Sequence, residues 1–223
     1  MSYTFKDNPE FHVWDLEDFE SVDTKKRFNE NHFFKFLKKG DSIMDLGCGP
    51  GYTVKVLQSN GFNTLGIDLN EISIRRAKEH GLNVEKLDAE EAVVKYKDSY
   101  NVFALFDFVE HIPLQVVVNI LDEIRKVKNA KVFICTPNLN SLMGFKFWFH
   151  MPTHVNAMHP FVIRKMLDNM DFEIVSEWSE YGNLPGNGFK LWLRKKILKA
   201  LFGTQSELFL GGANICFVAK TKS

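Results

Sequence analysis

Residues 43–51 read Ile-Met-Asp-Leu-Gly-Cys-Gly-Pro-Gly. An apolar run closes on an acid, Asp45, and three alternating glycines, Gly47, Gly49 and Gly51, lead into a helical pattern from Tyr52. Glycine has no Cβ, so this stretch can turn sharply and let a ligand lie against bare peptide. A second apolar run, Phe62–Ile67, delivers Asp68, 21 residues beyond Gly47. That is the spacing at which a strand-end carboxylate takes the ribose hydroxyls in a nucleotide-binding βαβ unit. The loop is Gly-x-Gly-x-Gly, not the Gly-x-Gly-x-x-Gly of a dinucleotide site, and no Lys or Arg lies between Ile43 and Val54 to meet a pyrophosphate. The pattern points to an adenosine-containing cofactor, with a nicotinamide cofactor and a dehydrogenase activity as the alternative.

His111, His150, His154 and His159 follow later in the chain. Histidine titrates near neutrality, so each suits removal of a proton from a hydroxyl as that hydroxyl attacks. His154 is the first candidate for such a base and His111 the second. The spacing of His150, His154 and His159 also invites a metal reading. Pro152 and Pro160 interrupt any helix that would align the three, and no metal site is expected. Cys48 reads as small loop filler. Cys135 and Cys216 fall in apolar runs and read as core, and the three spaced cysteines make neither a zinc pattern nor a disulfide framework.

These side chains need elements to position them. Strand-like and helix-like patterns alternate, which argues for an α/β fold with a parallel sheet covered on both faces. An amphipathic segment, Phe19–Leu37, comes first. Strands are expected at Ser42–Leu46, Phe62–Ile67, Asn83–Leu87, Asn101–Phe106, Lys131–Cys135, Phe172–Trp178 and Ala213–Ala219. Helices are expected at Thr53–Gln58, from Asn70 as an N-cap to before Gly81, from Pro113 to Val127, and over Phe161–Met170. Two connections, 138–160 and 181–212, are long, and long connections in compact domains are usually functional or disordered. The first leaves the carboxyl end of the fifth strand, where open α/β sheets bind ligands. It is therefore the expected substrate wall, with the apolar residues Phe145, Phe147, Trp148 and Phe149 lining an acceptor pocket or packed as loop residues on the sheet.

At this point the chain resembles the class I S-adenosylmethionine-dependent methyltransferases. Asp45-Leu46-Gly47-Cys48-Gly49-Pro50-Gly51 matches their first motif and Gly66-Ile67-Asp68-Leu69 their second. Asp88-Ala89 follows the third strand, Phe106-Asp107-Phe108-Val109-Glu110-His111 the fourth, and Thr136-Pro137-Asn138 the fifth. The Glu-His pair and the Thr-Pro-Asn segment look like the subgroup of quinone-precursor and sugar or natural-product O-methyltransferases. Met151-Pro152-Thr153-His154-Val155 is similar to the histidine-bearing segment of its sugar-tailoring members.

The resemblance implies a doubly wound, mostly parallel seven-stranded sheet with helices on both faces and an antiparallel last strand. It implies one domain over residues 1–223, with residues 1–39 covering the cofactor site. It implies S-adenosyl-L-methionine as cofactor, with S-adenosyl-L-homocysteine as product. The cofactor would be held by Asp45, Gly47, Cys48, Gly49, Gly51, Asp68, Leu69, Asp88, Ala89 and Phe106. Within that set Asp68 takes the ribose, Leu69 packs on the adenine and Asp88 meets its amine. The expected reaction is O-methylation of a small-molecule hydroxyl. A cofactor-binding module without catalysis, partnering an active enzyme, is the reading from a different class.

Lys plus Arg and Asp plus Glu both number 28, so overall charge exerts no pull toward nucleic acid, and no nucleic-acid partner is expected. Residues 1–7 hold no apolar signal core and no apolar span of membrane length occurs in the sequence; with the cysteine usage, a cytoplasmic protein is expected. Residues 189–202 hold five cations and no acid. That segment is expected either to pack as a helix against the sheet and another subunit or to contact a membrane or lipid-linked substrate. The sequence does not define the oligomeric state.

Overall fold

The computed structural model describes residues 32–180, 188–203 and 211–222. Seven strands, β1 (Ser42–Leu46), β2 (Asn63–Asp68), β3 (Val84–Lys86), β4 (Val102–Phe106), β5 (Lys131–Pro137), β6 (Phe172–Glu180) and β7 (Asn214–Thr221), form one sheet. The order is β3-β2-β1-β4-β5-β7-β6. Pairing is parallel from β3 through β5, and β7 runs antiparallel to both of its neighbours. The carboxyl ends of β1, β2, β4, β5 and β6 therefore share one edge, and the order reverses between β1 and β4, the switch point at which such sheets bind ligands.

Alternation along the central strands sorts the core into two layers. Met44, Leu46, Phe103, Leu105, Val132 and Ile134 face one side; Ile43, Val102, Ala104, Phe133 and Cys135 face the other. Strands buried on both faces must read as nearly continuous apolar runs, as Val102–Phe106 does. Phe33 closes the second layer, with its ring 4.7 Å from that of Phe106 and 4.9 Å from that of Trp178. Cys135 and Cys216 stand opposite each other across β5 and β7, their sulfurs 2.8 Å apart. Their separation in the chain hid this pairing, which the antiparallel register creates.

Among the described residues the helices are α1 (Tyr52–Ser59), α2 (Glu71–Glu79), α3 (Ala89–Tyr96), α4 (Leu114–Ile124), α5 (Leu142–His150), α6 (Pro160–Asn169) and α7 (Gly188–Phe202). Asn70 caps α2 by accepting from Ile72 and Ser73. Several expectations need correction. Pro113 is the N-cap of α4 with extended backbone, not part of its first turn, and the helix stops at Ile124, short of Val127. The two long connections carry helices, α5 and α7, and the aromatic residues 145–149 are helical, not loop. Pro160 opens α6 at its first turn, where a missing N–H costs nothing. β5 runs two residues further than expected, because β7 pairs it to Pro137 after its pairing with β4 has stopped at Cys135. Most of the Phe19–Leu37 segment and its role over the cofactor lie outside the described residues; its end is a 3-10 turn at Phe34–Phe36.

Candidate functional site

The glycine loop leaves β1 with three left-handed residues, Gly47, Gly49 and Gly51, at φ +74°, +52° and +86°. Only glycine takes such angles without strain. The loop is tied to the next strand: the Gly47 and Cys48 amides both donate to the Ile67 carbonyl, at 2.8 and 2.9 Å. Asp68 completes the join. Its Oδ2 accepts the Gly49 amide at 2.8 Å and its Oδ1 the Asn70 amide at 2.7 Å. A carboxylate has about four acceptor positions, so two backbone donors can fix its plane and still leave lone pairs for hydroxyls.

Around this join, Asp45 stands one residue before the end of β1, with 2% of its surface exposed. Leu69, next to Asp68, is 57% exposed, a free aliphatic side chain beside a ribose-type carboxylate. Burial, then the nearby Asp45 and Asp68 carboxylates, push the Cys48 thiol well up, so it stays protonated and fills space. Asp88 is the N-cap of α3, its Oδ1 accepting from the Glu90 and Glu91 amides. Ala89 is buried in the first core layer and Phe106 packs on Phe33. Carboxylates, backbone amides and an open leucine, without a cation in the loop, suit a nucleoside with a positive centre and do not suit a polyphosphate.

A second set of groups stands at the tips of β4 and β5. Asp107, directly after β4, is held at φ +47° with its amide on the Cys135 carbonyl at 2.8 Å. Left-handed backbone at a non-glycine costs of order 1 kcal/mol and persists where surroundings over-determine it. Phe108 follows and lies against the glycine loop: a Cβ on Gly47 would come within 2.3 Å of its ring. Glu110 is buried, 1% exposed, and accepts from the Thr136 hydroxyl at 3.0 Å. Its carbonyl takes the Val155 and Asn156 amides at 2.9 and 3.1 Å, and the Asn156 side chain donates to the Val109 carbonyl. This strap brings residue 154 back over residue 111.

The two leading base candidates therefore meet. The rings of His111 and His154 are 4.7 Å apart, edge to face. His154 Nδ1 lies 2.9 Å from the Trp148 carbonyl oxygen. A carbonyl can only accept, so Nδ1 carries the proton and Nε2 presents a lone pair. Burial lowers the His154 pKa below its ordinary 6.5, against the Trp148 hydrogen bond and the Asp107 charge, which raise it. The indole Nε1 of Trp148 is itself buried without a hydrogen-bond partner. Ligand atoms of Glu110, His111 and His154 lie within 4.8 Å of one another, a donor set able to hold a divalent cation. The trio at 150, 154 and 159 is not what converges: His159 caps α6 by accepting from the Phe161 amide. Asp107 and Glu110 were not among the sequence-derived candidates, although both share the segment that supplied His111; Trp148 was expected only as an apolar wall or packing residue, not as the partner of His154.

The profile of the methyltransferase domain family matches residues 23–177. The ubiquinone biosynthesis O-methyltransferase of Saccharophagus degradans is 30% identical over 108 residues, covering 45% of this chain and 46% of that protein. The ribosomal protein L11 methyltransferase of Thermotoga neapolitana is 31% identical over 99 residues, 44% of this chain and 36% of that protein. The matched stretch thus spans less than half the length of either relative. In fold, the chain is similar to a SAM-dependent methyltransferase from Archaeoglobus fulgidus, with TM-score 0.72 and 22% identity over 95% of this chain and 98% of that one. It is also similar to magnesium protoporphyrin IX methyltransferase of Synechocystis with bound SAM, with TM-score 0.53 and 13% identity over 82% and 71% of the two chains. The family match covers the glycine loop, the Asp68 join and both histidines, and the chain belongs to the methyltransferase domain family, the class I enzymes whose methyl donor is S-adenosylmethionine.

Proposed function

We propose that this protein methylates a hydroxyl oxygen of a small molecule, from the class of glycan, lipid, quinone or natural-product precursors. His154 is the base in this reading. The observation that carries it is the His154 imidazole itself: half-buried, neutral near pH 7 through burial, with Nδ1 engaged on Trp148 and Nε2 left to take a proton. S-adenosylmethionine, when bound, supplies an electrophilic methyl on a sulfonium. Asp68 and the glycine loop would hold its nucleoside, and Asp45 would place negative charge near its positive centre. The amino end of α1 favours its carboxylate. The β4 tip, leaning on Gly47 through Phe108, brings the histidines to the loop that holds the donor. Displacement at a methyl gains mainly from alignment and exclusion of water, and half-buried Trp148 beside His154 serves the second. The O-methyltransferase named among the relatives supports an oxygen acceptor.

The test is turnover of labelled S-adenosylmethionine with a panel of phenols, catechols and sugars. Binding of S-adenosylhomocysteine without turnover of any hydroxyl acceptor removes the reading. A second reading rests on the Glu110, His111 and His154 donor set: a divalent cation held there could bind the acceptor oxygen and lower its pKa. Turnover abolished by a chelator and restored by magnesium selects it; turnover indifferent to both selects His154 acting alone. A cytoplasmic setting fits three cysteines that are all thiols.

A further inference from the structure

The chain is neutral overall, with one acid in every eight residues, and its acid-free stretches cover most of both long connections. Residues 139–167 and 181–206 contain no Asp or Glu. They follow β5 and β6, whose carboxyl ends lie on the edge that carries the candidate site. Each carries a helix that leaves large apolar side chains in water. On α5, Phe145, Phe147 and Phe149 are exposed, Phe149 by 65%; on α7, Trp192, Ile197 and Leu201 are exposed, Leu201 by 69%. Scattered exposed apolar residues need no explanation, but clusters of this kind mark a contact surface. The cations are unevenly placed too. Lys190, Arg194, Lys195, Lys196 and Lys199 all fall on α7, and Lys196 Nζ stands 5.9 Å from the Trp192 ring centre.

We propose that α5 and α7 seat the protein on an anionic lipid bilayer. Exposed aromatic rings suit the headgroup boundary, where an apolar body and wet surroundings coexist. Lysines flanking an apolar helix extend their stems along it and put their charges among lipid phosphates. Charge selects this occupant: a second copy of the chain would set one lysine-rich helix against another, whereas an anionic surface neutralises it. Among the described residues no helix is long and apolar enough to cross a membrane, so the contact is interfacial. The proposal concerns where the site faces and does not depend on which acceptor oxygen is methylated.

Co-sedimentation with vesicles tests it. The protein pellets with vesicles of phosphatidylcholine and phosphatidylglycerol in equal parts, and pelleting falls sharply with phosphatidylcholine alone or at high salt. Lys196→Gln and Lys199→Gln each weaken partition about fivefold, and Phe145→Ser with Phe149→Ser weakens it about tenfold or more. All four positions are exposed, and an unchanged melting temperature with retained S-adenosylhomocysteine binding shows the variants are folded. No pelleting of the parent protein with the anionic vesicles at low salt overturns the proposal, as does pelleting that the four substitutions leave unchanged. A dimer in solution abolished by the same substitutions, without vesicle binding, assigns the surface to a second copy instead. None of these outcomes bears on donor binding or turnover, so failure here is distinct from failure of the proposed chemistry.

Discussion

Gly49 donates its amide to Asp68 across 2.8 Å, so the turn proposed to receive the donor and the carboxylate proposed to hold its ribose are one unit. Asp68 also takes the Asn70 amide and thereby fixes the start of α2. Asp68→Ala removes both acceptors and the proposed ribose ligand together. It is expected to cost about 1–3 kcal/mol of stability and to weaken S-adenosylhomocysteine binding more than tenfold. Asp68→Asn replaces one acceptor oxygen with an NH2 group that meets a backbone N–H, and should fall between the two. Calorimetric titration and urea melts on the same samples check this; wild-type affinity in Asp68→Ala would falsify the ribose role.

Two glycines of the same loop should fail differently. A Cβ at Gly49 meets nothing within 4 Å, so only its φ of +52° resists substitution. A Cβ at Gly47 meets the Phe108 ring at 2.3 Å in addition to a φ of +74°. Gly49→Ala should cost about 1 kcal/mol of strain and act mainly on donor affinity. Gly47→Ala displaces Phe108 and with it the β4 tip, so turnover falls further than affinity. Equal effects of the two on both parameters would show that Phe108 does not couple loop and tip.

Thr136 donates to Glu110 in a buried pair. Thr136→Val keeps the shape and removes the donor, leaving a buried carboxylate short of one hydrogen bond. A loss of about 1–3 kcal/mol is expected, largely restored by Thr136→Ser, because the strap carrying His154 hangs on the Glu110 carbonyl. Denaturant midpoints of the three proteins decide it. Wild-type stability in Thr136→Val removes the hydroxyl as a support for Glu110.

What the sequence disclosed follows from how local each feature is. The Asp45 loop and the Asn70 cap are encoded within a few residues and the Asp68 spacing within one βαβ unit; the structure ends β2 at Asp68 and caps α2 with Asn70. Apolar runs such as Val102–Phe106 mark central strands because burial on both faces leaves no room for polar residues. The helix α5 escaped notice because Leu142–His150 is apolar on almost every side and contains Gly144, so no helical stripe stands out. Its signal was Ser141, whose hydroxyl accepts the Gly144 amide. The helix α3 has its own local signal in Asp88, which heads a cap with Glu90 and Glu91 in the first turn. The convergence of Glu110, His111 and His154 depends on backbone bonds between segments some 45 residues apart in the chain, which no local pattern records.

His154 makes the sharpest prediction about pH. Burial keeps its folded pKa below 6.5, and the neutral imidazole is the form that accepts a proton. The acid limb of kcat/KM should therefore lie below 6.5 and disappear in His154→Ala, with turnover down about 10²-fold or more and S-adenosylhomocysteine affinity kept. Stability moves in the same window. Above 6.5 both folded and unfolded imidazoles are neutral and the full contribution is present. As pH falls, the unfolded chain takes the proton first, and stability declines until the folded site is protonated as well. His154→Ala should flatten that decline. His111→Ala keeps the Trp148 hydrogen bond and removes the neighbouring ring, so it should retain the acid limb at reduced turnover. A limb that vanishes in His111→Ala and survives in His154→Ala transfers the proton-accepting role to His111.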